Sequence, residues 1–332
     1  MQVLIVNQEE VRALLPMAEC IEVMAEALKT LARGDVILPL RPVMRLPDPA
    51  NVLVLMPAYL GAPAALGLKV IAVFPGNAGT DYDSHPGVVM LFDTEHGQPL
   101  AIMDASEITA IRTAAVSGVA TRLLARDDAA ELALLGSGVQ ARTHLDAMLA
   151  VRPVGRVRVW SRTPERARAF AESAARRHNL PVEPVGTARA AVEGADLICT
   201  TTASPDPVLL GDWIAPGAHI NAAGSATATA RELDTAAVAR ARLYVDRRES
   251  TVNEAGDFLI PKREGAIDDG HIQAELGELL LGTATGRTAP DEITLFKSLG
   301  LAIEDVAAAR HIYAKAQKQN AGTWVELGGA RQ

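Results

Sequence analysis

The stretch that decides the fold is ELALLGSGVQA, residues 131–141. Its apolar start predicts a buried strand, and its glycine-rich end predicts a turn that opens a helix. A strand, a G-x-G-x-x-G/A turn and a helix form the dinucleotide fingerprint, although glycine turns after strands are common. Gly136 would permit the tight turn, Gly138 would let a pyrophosphate approach the backbone, and Ala141 would keep the helix close to the sheet.

A second segment, RVRVWSRT at residues 156–163, predicts the next strand. An NAD-binding fold usually has Asp or Glu at the end of this strand, where it accepts from the ribose 2′-hydroxyl. Here the strand ends in Ser161, Arg162 and Thr163, and an arginine can hold the additional 2′-phosphate. The pattern favours NADP(H) over NAD(H). A simpler interpretation is that Thr163 only caps a helix with Pro164 in its first turn, and both interpretations can hold.

From about residue 118 onward the chain alternates strands and helices. Apolar runs that predict strands recur at 131–136, 156–161, 182–185, 196–201, 218–223 and 242–246. This rhythm is typical of a doubly wound parallel sheet, and we expect a Rossmann domain for NADP binding over residues 118–301. Within it, HIQAELGELLLG at residues 271–282 is expected to be helical.

Residues 1–117 and 302–332 predict a second domain of a different kind. Apolar residues recur at helical spacing from Ile21 to Leu31, and GVVMLFD–TEHGQ–PLAIMD at 87–104 predicts a hairpin. The long helix predicted at residues 301–319 is expected to pack back on this domain, which makes it discontinuous. The predicted fold class is therefore α/β, a Rossmann doubly wound parallel sheet plus a discontinuous α+β domain.

The composition excludes several classes of protein. A formal net charge of −8 argues against a general nucleic-acid binder. Cys20 and Cys199 lie far apart, and the seven histidines form no metal-binding pattern, so no metal is expected. The first residues lack the features of a signal peptide, and the apolar runs are shorter than the roughly 20 residues that span a bilayer. We expect a cytoplasmic protein that does not bind membranes.

Three cations interrupt otherwise apolar patterns. Arg112 lies on the apolar face of a helix predicted from Asp104 to Arg126, and Lys69 interrupts the apolar strand at residues 65–74. Arg41 follows another predicted strand. A buried cation needs a protein carboxylate or a ligand anion, and periodicity alone leaves both possibilities open. Nor does it establish that the three cations converge on one pocket.

Several segments, taken together, resemble one known family over essentially the whole chain. They are LPLRPVMRL, VLMPAYL, LGLKV, SHPGVVMLFD, ITAIRTAAVSG, LLGSGVQARTH, VRVWSRT, INAAGS with RELD, and LFKSLGLAIED. The chain resembles the ornithine cyclodeaminase/mu-crystallin family. The resemblance implies that the α+β domain binds substrate and dimerises through its sheet, which predicts a homodimer.

The resemblance also implies roles for individual residues. The substrate's α-carboxylate would be held by Arg41, Lys69 and Arg112, with Met56 beside it. With the two motifs above, the expected cofactor contacts are Thr113, Gly136, Gly138, Val139, Gln140, Ser161, Arg162, Thr163, Thr201, Ser298 and Gly300. The expected catalytic residues are Lys69, Arg112, Ser225 and His85. His85 is a candidate proton donor or a structural loop residue, and Ser225 either bonds the imine nitrogen or lines the pocket.

Two departures from the cyclodeaminase pattern decide which branch the chain resembles. Cyclodeaminases carry Asp where this chain has Ser225, and tend to carry an acid where it has Val54. Neither serine nor valine can act as a carboxylate base at neutral pH. Ser225 and the MPAY stretch at residues 56–59 instead resemble the mu-crystallin and ketimine-reductase branch, whose members reduce C=N bonds with NADPH.

The sequence therefore predicts an NADPH-dependent reductase of 2-imino (ketimine) carboxylates, such as pyrroline-2-carboxylate or piperideine-2-carboxylate. Hydride transfer to the iminium carbon would give an L-amino acid. Three alternatives remain open: an ornithine cyclodeaminase that forms proline and ammonia with NAD, an amino-acid dehydrogenase of the alanine type, and a non-catalytic NADPH-dependent binder of a carboxylated aromatic ligand.

Overall fold

A computed structural model describes residues 1–48, 50–77 and 79–328 of the chain. The chain divides into two compact units. The first unit contains Met1–Arg112 and Leu301–Gln332, and the second contains Thr113–Gly300.

The elements are numbered along the chain, and the first ten of them precede residue 131. They are β1 (Gln2–Val6), α1 (Gln8–Leu14), α2 (Met17–Ala32), β2 (Val36–Ile37), β3 (Val43–Arg45), β4 (Val52–Gly61), β5 (Ala64–Val73), β6 (Gly87–Phe92), β7 (Pro99–Asp104) and α3 (Ala105–Leu124). After Gly300 the first unit resumes with α11 (Ala302–Gln319) and β16 (Thr323–Glu326).

The strands of the first unit form one sheet, in the order β16-β1-β7-β6-β5-β4-β2, with β3 also paired to β4. β1 runs parallel to β7, and the other pairs are antiparallel. The predicted hairpin of β6 and β7 is confirmed. Helix α11 packs on β4, β5 and β6 and against α2, so the predicted C-terminal helix belongs to this unit.

The two faces of this sheet differ. On the inner face, alternate residues of β4, β5 and β6 are buried, and Lys69 lies among them, directly between Met56 of β4 and Val89 of β6. The outer face is apolar but only partly covered, and consists of Leu53, Leu55, Pro57, Tyr59, Leu66, Leu68, Val70, Ala72, Val88, Met90 and Phe92. A strand with one solvated face usually alternates apolar with polar residues, so this outer face is unusual.

The second unit contains α3 from Thr113 onward and the remaining elements. They are β8 (Glu131–Leu135), α4 (Val139–Val151), β9 (Arg156–Trp160), α5 (Pro164–His178), β10 (Val182–Pro184), α6 (Ala188–Val192), β11 (Leu197–Thr200), β12 (His219–Ala222), α7 (Thr235–Arg240), β13 (Arg242–Val245), α8 (Arg248–Glu254), α9 (Gly256–Arg263), β14 (Ile272–Glu275), α10 (Leu276–Leu281) and β15 (Thr294–Lys297).

The strands of the second unit lie in the order β10-β9-β8-β11-β12-β15-β13-β14, and the paired strands run parallel. The strand order reverses between β8 and β11. In such sheets ligands bind at the carboxyl ends of the strands beside this switch point. The predicted α/β fold class, with its doubly wound parallel sheet and a second α+β unit, is confirmed.

One predicted element is wrong. Residues 271–282, expected to be helical, contain the strand β14 followed by the short helix α10. Ile272 and Ala274 are buried while Gln273 between them is exposed, which is the alternation of a strand that pairs on one edge with β13.

Within the described residues, no helix is both long enough and apolar enough to cross a lipid bilayer.

Candidate active site

The glycine-rich turn follows β8 at the switch point of the parallel sheet. Gly136 has φ 123°, a backbone conformation that other residues rarely adopt. A Cβ atom at Gly136 would lie 2.6 Å from Oγ1 and 2.8 Å from the carbonyl oxygen of Thr201. The Thr201 hydroxyl in turn donates to the carbonyl of Leu135, at 3.1 Å. Any other residue at position 136 would be disfavoured twice, by the backbone conformation and by a clash of its side chain with Thr201.

Gly138 is the N-cap of α4, and it has the opposite surroundings. A Cβ atom placed on it would meet no atom within 4 Å among the described residues. The cap lacks a side-chain hydrogen bond within the same part of the chain. An open space beside an uncapped helix N-terminus suits a phosphate group, which the first-turn amides and the helix dipole attract. Val139 and Gln140, two further predicted contacts, form the start of this helix. The residues present thus fit a dinucleotide.

The segment with Arg162 lies beside this turn. β9 pairs with β8 in parallel, and the amide of Gly136 donates to the carbonyl of Trp160, at 2.9 Å. Thr163 occupies the N-cap of α5, but in the described structure its side chain makes no capping hydrogen bond. Its amide instead donates to Oγ of Ser161, at 3.4 Å. Arg162 is exposed at the carboxyl edge of the sheet, the edge at which ligands bind in sheets of this kind.

Other predicted residues of the second unit also lie at this edge. Ser225 follows β12, and its hydroxyl donates to the carbonyl of Ala230, at 2.8 Å. Ser298 follows the neighbouring strand β15, and its amide donates to the carbonyl of Ala222. Gly300, with φ 74°, donates its amide to a carboxylate oxygen of Asp246, at 2.9 Å.

At the carboxyl edge of the sheet, five different strands are each followed by a predicted position, namely Gly136, Arg162, Thr201, Ser225 and Ser298. Thr113, a further predicted cofactor contact, lies in α3 and is buried.

In the first unit, two of the three predicted substrate-binding cations converge on one carboxylate. Asp305 of α11 binds Lys69 Nζ through Oδ2, at 2.7 Å, and Arg112 Nε through Oδ1, at 2.8 Å. Arg112 Nη1 also lies 2.8 Å from Oε2 of Glu304. All four side chains are buried. Protein carboxylates therefore pair with both cations, and they hold them in fixed positions next to each other.

Burial lowers the pKa of Lys69 to about 8. Asp305 opposes this effect, whereas the positive charges of Arg112 and Arg41 add to it. Arg41 is therefore close enough to Lys69 for its charge to act there. The Lys69 ammonium also lies 3.3 Å from Oγ1 of Thr109 on α3. At neutral pH most Lys69 side chains carry a proton, and they lose it above about pH 8.

The side chains around Lys69 on the sheet are apolar. Met56 lies directly opposite on β4, and Val54 and Ile71 form the next cross-strand pair on the same buried face. Val89 is the neighbour on β6. A ligand whose carboxylate reached Lys69 would therefore have a hydrocarbon surface beside the rest of its skeleton.

His85 lies in the loop before β6 and is held by local contacts. Its Nδ1 is 2.9 Å from Oγ of Ser84, and its amide donates to Oδ1 of Asp83, at 3.0 Å. Ser106, in the first turn of α3, donates to the other oxygen of Asp83 and to the His85 carbonyl. Desolvation lowers the pKa of His85. These contacts give His85 a structural role in this loop, whatever its part in catalysis.

Sequence reasoning missed the acids that complete the site. Glu304 and Asp305 stand together at the start of α11, in the segment LAIED. Adjacent acids at the buried start of a predicted helix were the available signal, because a buried carboxylate needs a cation or hydrogen-bond donors. Asp246, which accepts the amides of Leu299 and Gly300, was missed in the same way.

Comparison with known proteins identifies the relatives of this chain. The model of the ornithine cyclodeaminase/mu-crystallin family matches residues 1–320. A Delta(1)-pyrroline-2-carboxylate reductase of Bacillus cereus is 38% identical over 325 residues, which cover 98% of this chain and 100% of the relative. The ketimine reductase mu-crystallin of Mus musculus is 40% identical over 280 residues, which cover 84% of this chain and 85% of the relative.

A solved structure is similar throughout. The Delta(1)-pyrroline-2-carboxylate reductase of Thermococcus litoralis, in complex with NADH and L-proline, superposes with a TM-score of 0.94. It is 40% identical, and the match covers 97% of this chain and 99% of that one. The predicted family is confirmed. The predicted enzyme class, an oxidoreductase that acts on C=N bonds with a nicotinamide cofactor, is the class of these relatives.

Proposed function

Because the chain belongs to the ornithine cyclodeaminase/mu-crystallin family, we propose that it is an NADPH-dependent reductase of cyclic 2-imino carboxylates. Pyrroline-2-carboxylate and piperideine-2-carboxylate are the candidate substrates, and the product is the L-amino acid. The observation that carries this proposal is the pair of buried cations, Lys69 and Arg112, held together by Asp305 on an apolar sheet face.

The first step is capture of the substrate's carboxylate by Lys69, Arg112 and Arg41. An ammonium has three N–H donors and a guanidinium has five, so each cation can bind more than one acceptor at a time. The two acids fix the cations before the substrate arrives, which lowers the cost of ordering long side chains on binding. Charge-assisted hydrogen bonds of this kind are also the strong ones.

The surroundings of Lys69 favour a cyclic imine over ornithine. The ring carbons of a cyclic imine can pack on Met56, Val54 and Ile71, the apolar neighbours of Lys69. Ornithine would bring a second ammonium group to the same surface. Val54 occupies the position where cyclodeaminases tend to carry an acid. A valine cannot offset the cost of desolvating ornithine's second ammonium group.

Ser225 suits a protonated imine nitrogen. Its hydroxyl proton is already donated to the carbonyl of Ala230, so toward a ligand the oxygen can only accept. An iminium N–H is a donor. We therefore assign Ser225 the role of orienting the iminium, which arrives with its proton and needs no carboxylate base. His85 remains the candidate source of that proton for a substrate that arrives neutral.

The cofactor is proposed to lie on the Gly136 turn and the N-terminus of α4. When bound, NADPH supplies the hydride, and the chain supplies position and charge. Arg162 supports NADPH over NADH, because it stands where NAD-binding folds place an acid. The relative from Thermococcus litoralis was solved with NADH, so this preference is a property to be measured on the present chain.

The test is a spectrophotometric panel that follows NADPH oxidation. Pyrroline-2-carboxylate and piperideine-2-carboxylate should be reduced, and their rates should exceed those of pyruvate with ammonia or with amines. Ornithine alone, with NAD, is the control for a lyase. Release of ammonia from ornithine without net cofactor consumption, together with no reduction of either cyclic imine, would overturn the proposal.

We further propose a homodimer, formed through the outer face of the first unit's sheet. That face is apolar across β4, β5 and β6, with cross-strand rows such as Leu55, Val70 and Val88. An antiparallel sheet face of this kind can pack on a second copy of itself about a twofold axis. Light scattering after size exclusion should give twice the chain mass. Val70→Lys should yield the monomer, whereas an unchanged mass would contradict the use of this face.

A further inference from the structure

A second group of buried charges lies in the Rossmann unit, and the mechanism above does not use it. Glu232, Asp257 and Lys297 are each at most 2% exposed. Lys297 is the last residue of β15, Asp257 lies in the first turn of α9, and Glu232 lies in the segment between β12 and α7. Burying charges is expensive unless they are paired and hydrogen-bonded, so their partners show what the group does.

Glu232 joins the ends of two strands. Its Oε2 accepts from the Thr200 hydroxyl, at 2.8 Å, and from the Gly224 amide, at 2.7 Å. Its Oε1 accepts from the amide and the hydroxyl of Thr202, at 2.6 and 2.7 Å. Thr200 ends β11, and Gly224 follows β12 immediately before Ser225. One carboxylate thus ties the loop that carries Ser225 to the segment that carries Thr201.

Lys297 holds the same loop from the other side. Its ammonium donates to the carbonyls of Ser225 and Ala222, at 2.5 and 3.3 Å, and pairs with Oδ2 of Asp257, at 2.9 Å. Oδ1 of Asp257 accepts the amides of Glu232 and Leu233. The three charged side chains therefore form one connected group, and most of its bonds end on backbone atoms.

The backbone in this region is too close-packed to shift freely. A Cβ atom on Gly224 would lie 2.2 Å from the carbonyl oxygen of Thr202 and 2.5 Å from Oε1 of Glu232. The two loops therefore touch through their main chains, and the carboxylate fills the space that remains between them.

We propose that Glu232, Asp257 and Lys297 are positioning residues, which fix the backbone of the Ser225 loop and of Thr200–Thr202 at the carboxyl edge of the sheet. Through these loops they set the placement of Ser225, which the proposed function assigns to the iminium, and of Thr201, an expected cofactor contact. The kinetic part of this inference rests on the proposed function, because it assumes that Ser225 orients the iminium.

The primary test uses Glu232→Gln and hydrogen–deuterium exchange of the protein without ligands. The surrounding groups all donate, and a glutamine amide offers one oxygen where the carboxylate offers two. Amides of residues 200–203 and 222–226 should exchange at least about tenfold faster than in the wild type. This readout needs no substrate, so it remains decisive even if the cyclic imines are not reduced.

A second variant separates positioning from the cost of burying charge. Lys297→Met combined with Asp257→Asn removes both members of the ion pair, so the net charge of the buried group stays the same, while Glu232 loses the positive charge nearby. The carbonyls of Ala222 and Ser225 still lose their donor. We expect kcat for the cyclic imine to fall roughly 10-fold to 100-fold, since small misplacements of reacting groups have effects of this size. The KM for NADPH should change less than threefold.

The matched control is Arg242→Met. Arg242 begins β13 at the opposite edge of the same sheet and pairs with Glu292. Its loss should lower the melting temperature while kcat and the exchange of residues 222–226 stay as in the wild type. If Glu232→Gln and the double variant also change only the melting temperature, the three residues are merely structural and the proposal is overturned. An inactive wild type with fast-exchanging Glu232→Gln loops would refute the proposed substrate and support the positioning role.

Discussion

The two units each bury a group of charged side chains, but the groups bind different partners. In the first unit, Lys69 and Arg112 bind the side chains of Asp305 and Glu304. In the second unit, the bonds of Glu232, Asp257 and Lys297 end mainly on amides and carbonyls of loops. One group fixes cationic side chains, and the other fixes backbone.

This difference explains which group can meet a ligand. Ammonium and guanidinium groups can donate to several acceptors at once, so we propose that the substrate's carboxylate joins those of Asp305 and Glu304. A carboxylate that already accepts from two amides and two hydroxyls is satisfied, and it acts through the loops it holds. Neither group is strong proof of stability, because buried ion pairs often contribute little relative to an apolar core. What both groups do is hold the side chains and loops around them in one conformation.

The largest expected effect is on Arg112. Arg112→Met removes a fork of charge-assisted hydrogen bonds from the proposed carboxylate site. Each such bond is worth about 1.5–3 kcal/mol, so kcat/KM for a cyclic imine should fall roughly a thousandfold, while the dissociation constant of NADPH stays unchanged. Steady-state kinetics measure kcat/KM, and quenching of protein fluorescence by NADPH measures its dissociation constant.

Two companion variants make this result interpretable. Arg12→Met removes another arginine of the first unit, one that pairs with Glu107 at 2.9 Å and has no proposed part in catalysis, and it should leave kcat/KM within about twofold. Arg112→Lys keeps the charge but loses the planar fork, so it should retain partial activity. A catalytic efficiency of Arg112→Met close to that of the wild type would exclude Arg112 from the site.

The next effect concerns stability, and it compares a buried with an exposed ion pair of the same helix. Asp305→Asn leaves Lys69 and Arg112 without their shared counter-charge, which should lower the free energy of unfolding by about 3 kcal/mol. Glu19→Gln removes the exposed partner of Lys315, also on α11, and should cost less than about 1 kcal/mol. Urea unfolding followed by circular dichroism measures both. Equal losses would mean that the buried cluster is no more than an ordinary ion pair.

The third effect follows from the lowered pKa of Lys69. Its value of about 8 predicts that kcat/KM declines above pH 8, by about tenfold per pH unit, as the ammonium loses its proton. Lys69→Arg carries a cation that does not titrate in this range, so the enzyme's share of the decline should disappear. The substrate's own titration is the same in both proteins and serves as the internal reference. If kcat/KM declines equally above pH 8 in the wild type and in Lys69→Arg, the decline comes from the substrate and not from Lys69.

The sequence predicted the parts of the fold that local patterns determine. The apolar run before Gly136, the strand before Arg162 and the hairpin of β6 and β7 all have the expected form. Residues 271–282 failed because β14 is a short edge strand, with only two inward apolar residues, and a helical reading fits them equally well. For short apolar segments, the pairing partner decides between strand and helix, and that partner is remote in sequence.

The candidate site was predictable only in part, for the same reason. Lys69 and Arg112 were visible as cations in apolar patterns, but nothing local to them indicates Asp305, which lies 193 residues after Arg112 in the chain. The roles assigned to Arg41, Met56, His85 and Ser225 came from family resemblance and stay predictions. Lys297 was hidden at the end of a buried strand, because an apolar run followed by one lysine is also the ordinary pattern of a strand that ends at the surface.

The smallest effect contrasts these buried charges with an exposed one. Arg162 lies at the open edge of the second unit's sheet, so its bond to a ligand phosphate is partly screened by solvent. Arg162→Ala should raise the KM for NADPH roughly tenfold, which is the value of about one charged hydrogen bond, and leave the KM for NADH nearly unchanged. Arg168→Ala, which removes an exposed arginine of α5 paired with Glu165, is the control and should alter neither constant. The effect should also shrink as salt is raised, because exposed charges are screened while the Arg112 cluster is not. If the KM for NADPH and the KM for NADH rise equally, Arg162 does not bind the 2′-phosphate, and the cofactor preference must come from another residue.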